Sequence, residues 1–266
     1  MLCIGPYSAW VVVDGVGLET HCAEASHSIC TASTSGWISS EAGKKFSVYW
    51  HNAERDIALE AVVSIDGVEC NRHVMLSARD FPDRPDTVRV SYTRTSESTR
   101  RDFIFSVIKL TDDDEWLPLV DYTKFGVITL ELWRLRVNRV VRQQLQHDCY
   151  KPLILEPQVL HEQTKRSGIH HVRFGEEYNV SRPTVDMVDG QKMDRVPYAS
   201  FLFRYRPRDM LLAQGVIAPR IIRLPITTLL SDGAPPTEKT DQHNRFPNRG
   251  QSVISSRRVT IESLLS

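Results

Sequence analysis

The chain has 266 residues, enough for one large β domain or for a domain with a tail. Apolar residues at 41% and charged residues at 25% are those of an ordinary globular protein, and 33 Lys+Arg against 33 Asp+Glu leave no net field to draw the whole molecule onto nucleic acid or an anionic membrane. The five cysteines (Cys3, Cys22, Cys30, Cys70, Cys149) are odd in number and none stands at C-x-x-C spacing, which argues against a disulfide framework and a zinc site.

No basic region precedes the N-terminal apolar run Trp10-Val11-Val12-Val13, and Asp14 cuts that run short, so neither a secretory signal nor a membrane span is expected. The reading is a reduced, intracellular protein, cytosolic or nuclear. Asp14-Gly15 and, later, Asp66-Gly67 lie between apolar segments and predict hairpins, because a tight primed turn needs positive φ. Phe46, Val48 and Trp50 alternate with wettable residues and predict a strand. Leu59 to Cys70 reads as strand, turn, strand. Val88, Val90 and Tyr92 form one further stripe, and Phe103, Phe105 and Val107 another.

Thr111 followed by Asp112-Asp113-Asp114 resembles a short helix start, with Thr111 as cap and Pro118 close behind. In Gly126–Asn138 the apolar series Ile128, Leu130, Leu132 changes parity to Trp133, Leu135, Val137. Either both faces of that strand are covered, or a β-bulge near Leu132-Trp133 shifts the register; the bulge is preferred, since it turns Arg134 and Arg136 to solvent. Residues 138–169 read as a long connection, helical in part between Val140 and His147. Phe201, Phe203 and Tyr205 form a last stripe, and Pro207 to Gly215 opens on proline and closes on glycine as a short helix does. Beyond Pro219 the chain turns polar, with Phe246 the sole aromatic between Ser231 and Arg258, and disorder is expected.

Seven stretches, in order, carry a resemblance: YSAWVVVDG (7–15), GWISSEAGKKFSVYW (36–50), VSIDGVEC (63–70), TRTSESTRRDFIFSVIKLTDDD (93–114), GVITLELWRLRV (126–137), HEQTKRSGIHHVRFGEE (161–177) and FLFRYRPRDMLLAQGVIAP (201–219). With them the chain resembles a fungal family, mostly from basidiomycetes, known as a domain of unknown function, number 7918 of the DUF series. The stretch 21–34 departs from that pattern in its many Cys, His and Ser residues. The resemblance implies a β-sandwich-like domain in an intracellular fungal protein. It brings no activity, catalytic residue or cofactor with it.

Candidate chemistry is sparse. Trp37, Glu41, Lys44 and Lys45 would make a charged surface patch, but Ser40–Gly43 is better read as a turn with lysines flanking the next strand. Asp112 to Glu115 are contiguous, so they cannot converge on one cation. His161, His170 and His171 match no metal-ligand spacing. No nucleophile elbow or phosphate-binding glycine loop occurs. Arg134, Arg136, Arg139 and Arg142, followed by Lys165, Arg166 and Arg173, would form a basic patch if brought together.

The expectation is an all-β protein: an antiparallel β-sandwich over residues 1–219, with jelly-roll order one arrangement of its strands, one or two short helices, and a polar tail over 220–266. Trp10, Trp50, Phe103, Phe105, Trp133, Phe201 and Phe203 are its expected core. No catalytic residue, cofactor or metal is assigned. The leading functional reading is a non-enzymatic interaction module with a protein partner. The alternatives are an enzyme or lectin-like domain acting on carbohydrate or another small substrate, and nucleic-acid binding through the Arg134/Arg136 face.

Overall fold

Period-two patterning yields strands through most of the described residues. The computed structural model describes residues 1–28, 31–111, 125–146, 159–161 and 170–219. Among them, the first nine strands are β1 (Leu2–Ile4), β2 (Tyr7–Val13), β3 (Val16–Gly17), β4 (His21–His27), β5 (Ala32–Ser40), β6 (Phe46–Asn52), β7 (Leu59–Ile65), β8 (Val68–Met75) and β9 (Thr87–Val90). There follow β10 (Tyr92–Arg94), β11 (Thr99–Val107), β12 (Lys109–Thr111), β13 (Val127–Gln144), β14 (Val159–His161), β15 (His170–Phe174), β16 (Tyr178–Asn179), β17 (Thr184–Lys192), β18 (Ala199–Pro207) and the helix α1 (Arg208–Ala213).

Two sheets make the sandwich. One runs β1-β2-β6-β9 with β3 beside β2, and the larger runs β4-β5-β18-β13-β7-β8 with β17 also on β13. Val11, Val48 and Trp50 from the first share one buried core with Ile38, Val63, Leu130 and Phe203 from the second. A third sheet, β10-β11-β15 with β16 on β11, adds Phe103 and Phe105 to the same core. Phe105 lies 4.2 Å from Phe46 and 5.1 Å from Tyr205, ring centre to ring centre. The pairing is mostly antiparallel, but β5 and β18 run parallel, Ala32 opposite Ala199 through Ser40 opposite Pro207. Among the described residues no helix is long and apolar enough to cross a membrane.

Both predicted hairpin turns form. Asp14 and Gly15 have φ of 49° and 79°, and Asp66 and Gly67 have 51° and 81°, the paired positive values of a type I′ turn. The helix at 207–214 is found as α1, with Gly215 at φ 71° behind it.

Several expectations are corrected. Trp10 and Trp133 lie half-buried, outside the core: Trp10 stacks on Tyr49 at 5.5 Å, and Trp133 sits under Lys192 at 3.8 Å. Val107 is 53% exposed at the end of β11. The stripe through Tyr92 breaks at Ser91, where the chain passes from one sheet to another, so Thr93 takes the buried place. In β13 the register shift lies at Val137/Arg139, against β17, not at Leu132-Trp133. The change of parity up to Leu135, which is buried, arises because both faces of the strand are covered there. Residues 140–144 continue β13 as strand, not helix. Thr111 ends a strand, and the proposed helix after it lies outside the described residues, as does the tail over 220–266.

Candidate binding groove

Arg55 is buried at a positive φ of 45°, and its backbone N–H donates to Asn52 Oδ1 at 3.1 Å. Among the described residues no carboxylate pairs with it. Its guanidinium instead donates to the carbonyl oxygens of Leu76 (3.2 and 3.0 Å), Phe81 (2.7 Å) and Arg84. One side chain thus gathers the loop after β8 into a fixed wall, because each accepting carbonyl is tied to the same rigid fork.

Between this wall and β13 lies a cavity of about 750 Å³, lined among others by Leu135, Val137, Asn138, Arg139 and Val140. A second cavity of about 530 Å³ adjoins it, walled by β8, β10 and β17. The two share Leu76, Arg84, Arg142 and Asp186 and form one groove. Its walls carry six arginines (72, 79, 84, 94, 139 and 142) against the acids Asp56, Asp80 and Asp186.

Asp186 and Asp80 are engaged in holding the scaffold. Asp186 pairs with Arg84, and Asp80 accepts the hydroxyl of Ser77 at 2.8 Å. Asp56 accepts the backbone N–H of Ile57 at 2.9 Å. Arg72 pairs with Glu69 and Glu60. Arg94 leans toward the Tyr92 ring at 5.6 Å, with Arg100 closer at 4.0 Å, and Nη1 of Arg94 is buried without a partner. Burial, and then nearby Arg100, hold Arg94 below the ordinary arginine range, with Tyr92 opposing them.

The residues singled out from the sequence sit elsewhere. Trp37 is half-buried on β5, with Arg204 and Arg206 at 5.8 and 5.6 Å from its ring. Glu41 is exposed in a turn whose carbonyl accepts from Lys44 N–H at 3.3 Å. Lys44 then pairs with Asp14 and Lys45 with Asp102, each at 2.7 Å, so the two ammonium groups diverge. Arg134 grips Asp194 with two nitrogens and lies 4.6 Å from the Tyr198 ring, while Arg136 is exposed farther along β13. Lys165 and Arg166 lie outside the described residues. His170 and His171 are both buried on β15, His170 within 2.8 Å of Ser40 Oγ. No group of three His, Cys, Asp or Glu suited to a metal occurs among the described residues.

Sequence reading marked Arg139 and Arg142 as part of a basic run but missed Arg72, Arg79, Arg84 and Arg94. The Pro- and Asp-rich stretch around Arg79 and Arg84 signals only a loop. Nothing in it announces that Arg55 folds that loop against β13.

A family profile described as Domain of unknown function (DUF7918) matches residues 8–220. The chain belongs to the DUF7918 family. Its matched span takes in both walls of the groove, from Arg55 to the end of β17. No curated protein and no solved structure matches the chain.

Proposed function

We propose that this DUF7918 protein is a non-enzymatic, intracellular protein-binding module of fungal origin, and that it holds its partner in the groove beside β13. The observation that carries the reading is the make-up of that groove: guanidinium groups and strand backbone on fixed elements, with Asp80 and Asp186 bound to neighbours. A hydrolase acting on carbohydrate needs a carboxyl free to exchange protons, and a carboxylate held by Arg84 or by a Ser77 hydroxyl is committed elsewhere. Arginine is favoured at protein interfaces for its flat, multidentate donor face. Cys3, Cys22 and Cys70 are unpaired thiols, which suits a reducing compartment.

The test is a photo-crosslinking amino acid placed in the full chain at exposed Asn138 in the groove, or at exposed Glu41 away from it, in a fungal lysate. Discrete protein adducts from position 138 are expected. Adducts from Glu41 alone would leave a binding module with a different site, and no adducts from either position would overturn the reading.

A further inference from the structure

The groove borders a strand edge that has no partner among the described residues. Strand β7 pairs with β13 from Ile128 to Arg134 and stops; Leu135 N–H then donates to Ala58 O at 2.9 Å. On the opposite side of β13, β17 continues from Leu135 to Gln144, and Leu145 N–H donates to Pro183 O at 2.9 Å. Backbone groups along an antiparallel strand point alternately to its two sides. With Leu145 directed at the β17 side, the N–H and C=O of Val140, Arg142 and Gln144 point to the side that β7 has left. That is where the wall held by Arg55 stands off and the cavity of about 750 Å³ opens. The edge from Arg139 to Gln144 is about 20 Å long at ordinary strand rise.

An uncovered edge is a template for another extended chain, and proteins either blunt it or use it. Here the flanking side chains choose the guest. Arg139 and Arg142 are exposed on the edge and make no ion pair among the described residues, and Arg79 stands on the facing wall. A neutral or basic strand would leave these guanidinium groups unpaired or repelled, whereas an acidic one matches them. The chain's own residues 220–266 carry seven Lys/Arg against four Asp/Glu and have the wrong sign. A row of alternating outward N–H and C=O groups calls for a partner that both accepts and donates along its length, as a peptide strand does and a phosphate backbone does not.

We infer that the open edge of β13 receives an extended acidic peptide segment of a partner protein, which joins the sheet as an added strand with its carboxylates on Arg79, Arg139 and Arg142. This rests on the binding-module reading and gives it a partner chemistry.

The probe is a fluorescein-labelled peptide that repeats Glu-Glu-Val-Val, so that Glu side chains fall on both faces of the strand as Arg139 and Arg142 do, titrated with the full chain and read by anisotropy. Its controls are the Lys-Val counterpart and the Glu-Val peptide with every amide N-methylated, which keeps the charge and removes the ladder donors. The Glu-Val peptide should bind at least ten-fold more tightly than either control and weaken as salt rises. An Arg139→Glu/Arg142→Glu variant, altered only at exposed positions, should bind it at least ten-fold more weakly with an unchanged circular dichroism spectrum. Equal binding of the N-methylated peptide would mean that charge alone acts, and would overturn strand addition. Equal binding of the Lys-Val peptide, an unaffected variant, or tighter binding of a single-stranded oligonucleotide would overturn it as well. If crosslinking from Asn138 nonetheless yields a protein partner, the binding module stands and only the strand-addition inference falls.

Discussion

Arg55 is 5% exposed and binds three carbonyls without a counter-ion among the described residues, so the dipoles of those carbonyls support its charge. Bonds from a charged donor are worth about 1.5–3 kcal/mol each, and removing the donor leaves buried carbonyls unpaired. Arg55→Ala should therefore lower stability by about 3 kcal/mol and speed hydrogen exchange in residues 76–84, where a purely global effect would speed exchange everywhere alike. In the core, Phe203→Ala should cost about 3–5 kcal/mol through the cavity it leaves, as a urea denaturation curve would record. Two buried titratable groups act in opposite senses. Asp66 accepts the Tyr205 hydroxyl and the N–H groups of Gly126, Val127 and Val172, yet burial outweighs these bonds and lifts it from 3.8 to about 6. Its folded form binds the proton more readily than the unfolded chain, so its effect is to lower stability as pH rises from about 4 to 6, by about 3 kcal/mol in all. Burial, and then His170, push His171 down from 6.5 to about 4; its neutral folded form favours folding above pH 6.5, and that support is lost as pH falls toward 4. The Asp66→Asn variant should thus gain stability with pH across this window, and the His171→Gln variant should lose it. Denaturation midpoints at pH 4.5 and pH 6.5 decide the signs.

At the scale of elements, the hairpins at Asp14-Gly15 and Asp66-Gly67 and the helix α1 were legible because each is set by local chemistry: paired positive φ for the turns, and proline before and glycine after for the helix. Asp189-Gly190 shows the limit of that logic. Gly190 lies within β17, and a Cβ there would come 2.8 Å from the Arg136 carbonyl, so this glycine serves the close approach of two strands beside a bulge. Gly190→Ala should cost about 1–3 kcal/mol, seen as a lower melting temperature. The parity change in β13 was visible, but of its two explanations the sequence favoured the bulge, because pattern alone does not reveal what covers the second face of the strand. Residues 140–144, read as helical in part, are strand because Val140-Val141 and the polar residues after them pair with β17.

For the whole molecule, the fold class was legible and the groove was not. Alternation tells each strand which side to bury, whereas the groove depends on where β7 ends relative to β13 and on which carbonyls Arg55 reaches, both products of the assembled sheet. Long-range order centres on β18, which joins the parallel partner β5 to β13 within the larger sheet. A chain cut after Asp194 loses that strand and should show neither dispersed amide resonances nor a cooperative melt. The β5–β18 ladder also governs how the protein is made. Ribosomes deliver residue 40 about 160 residues before residue 199, a wait of roughly ten to thirty seconds at ordinary elongation rates. Throughout it the nascent chain carries a completed β5 with one flank bare, so cells must shield that flank during translation, and slowing elongation should raise the demand for chaperones.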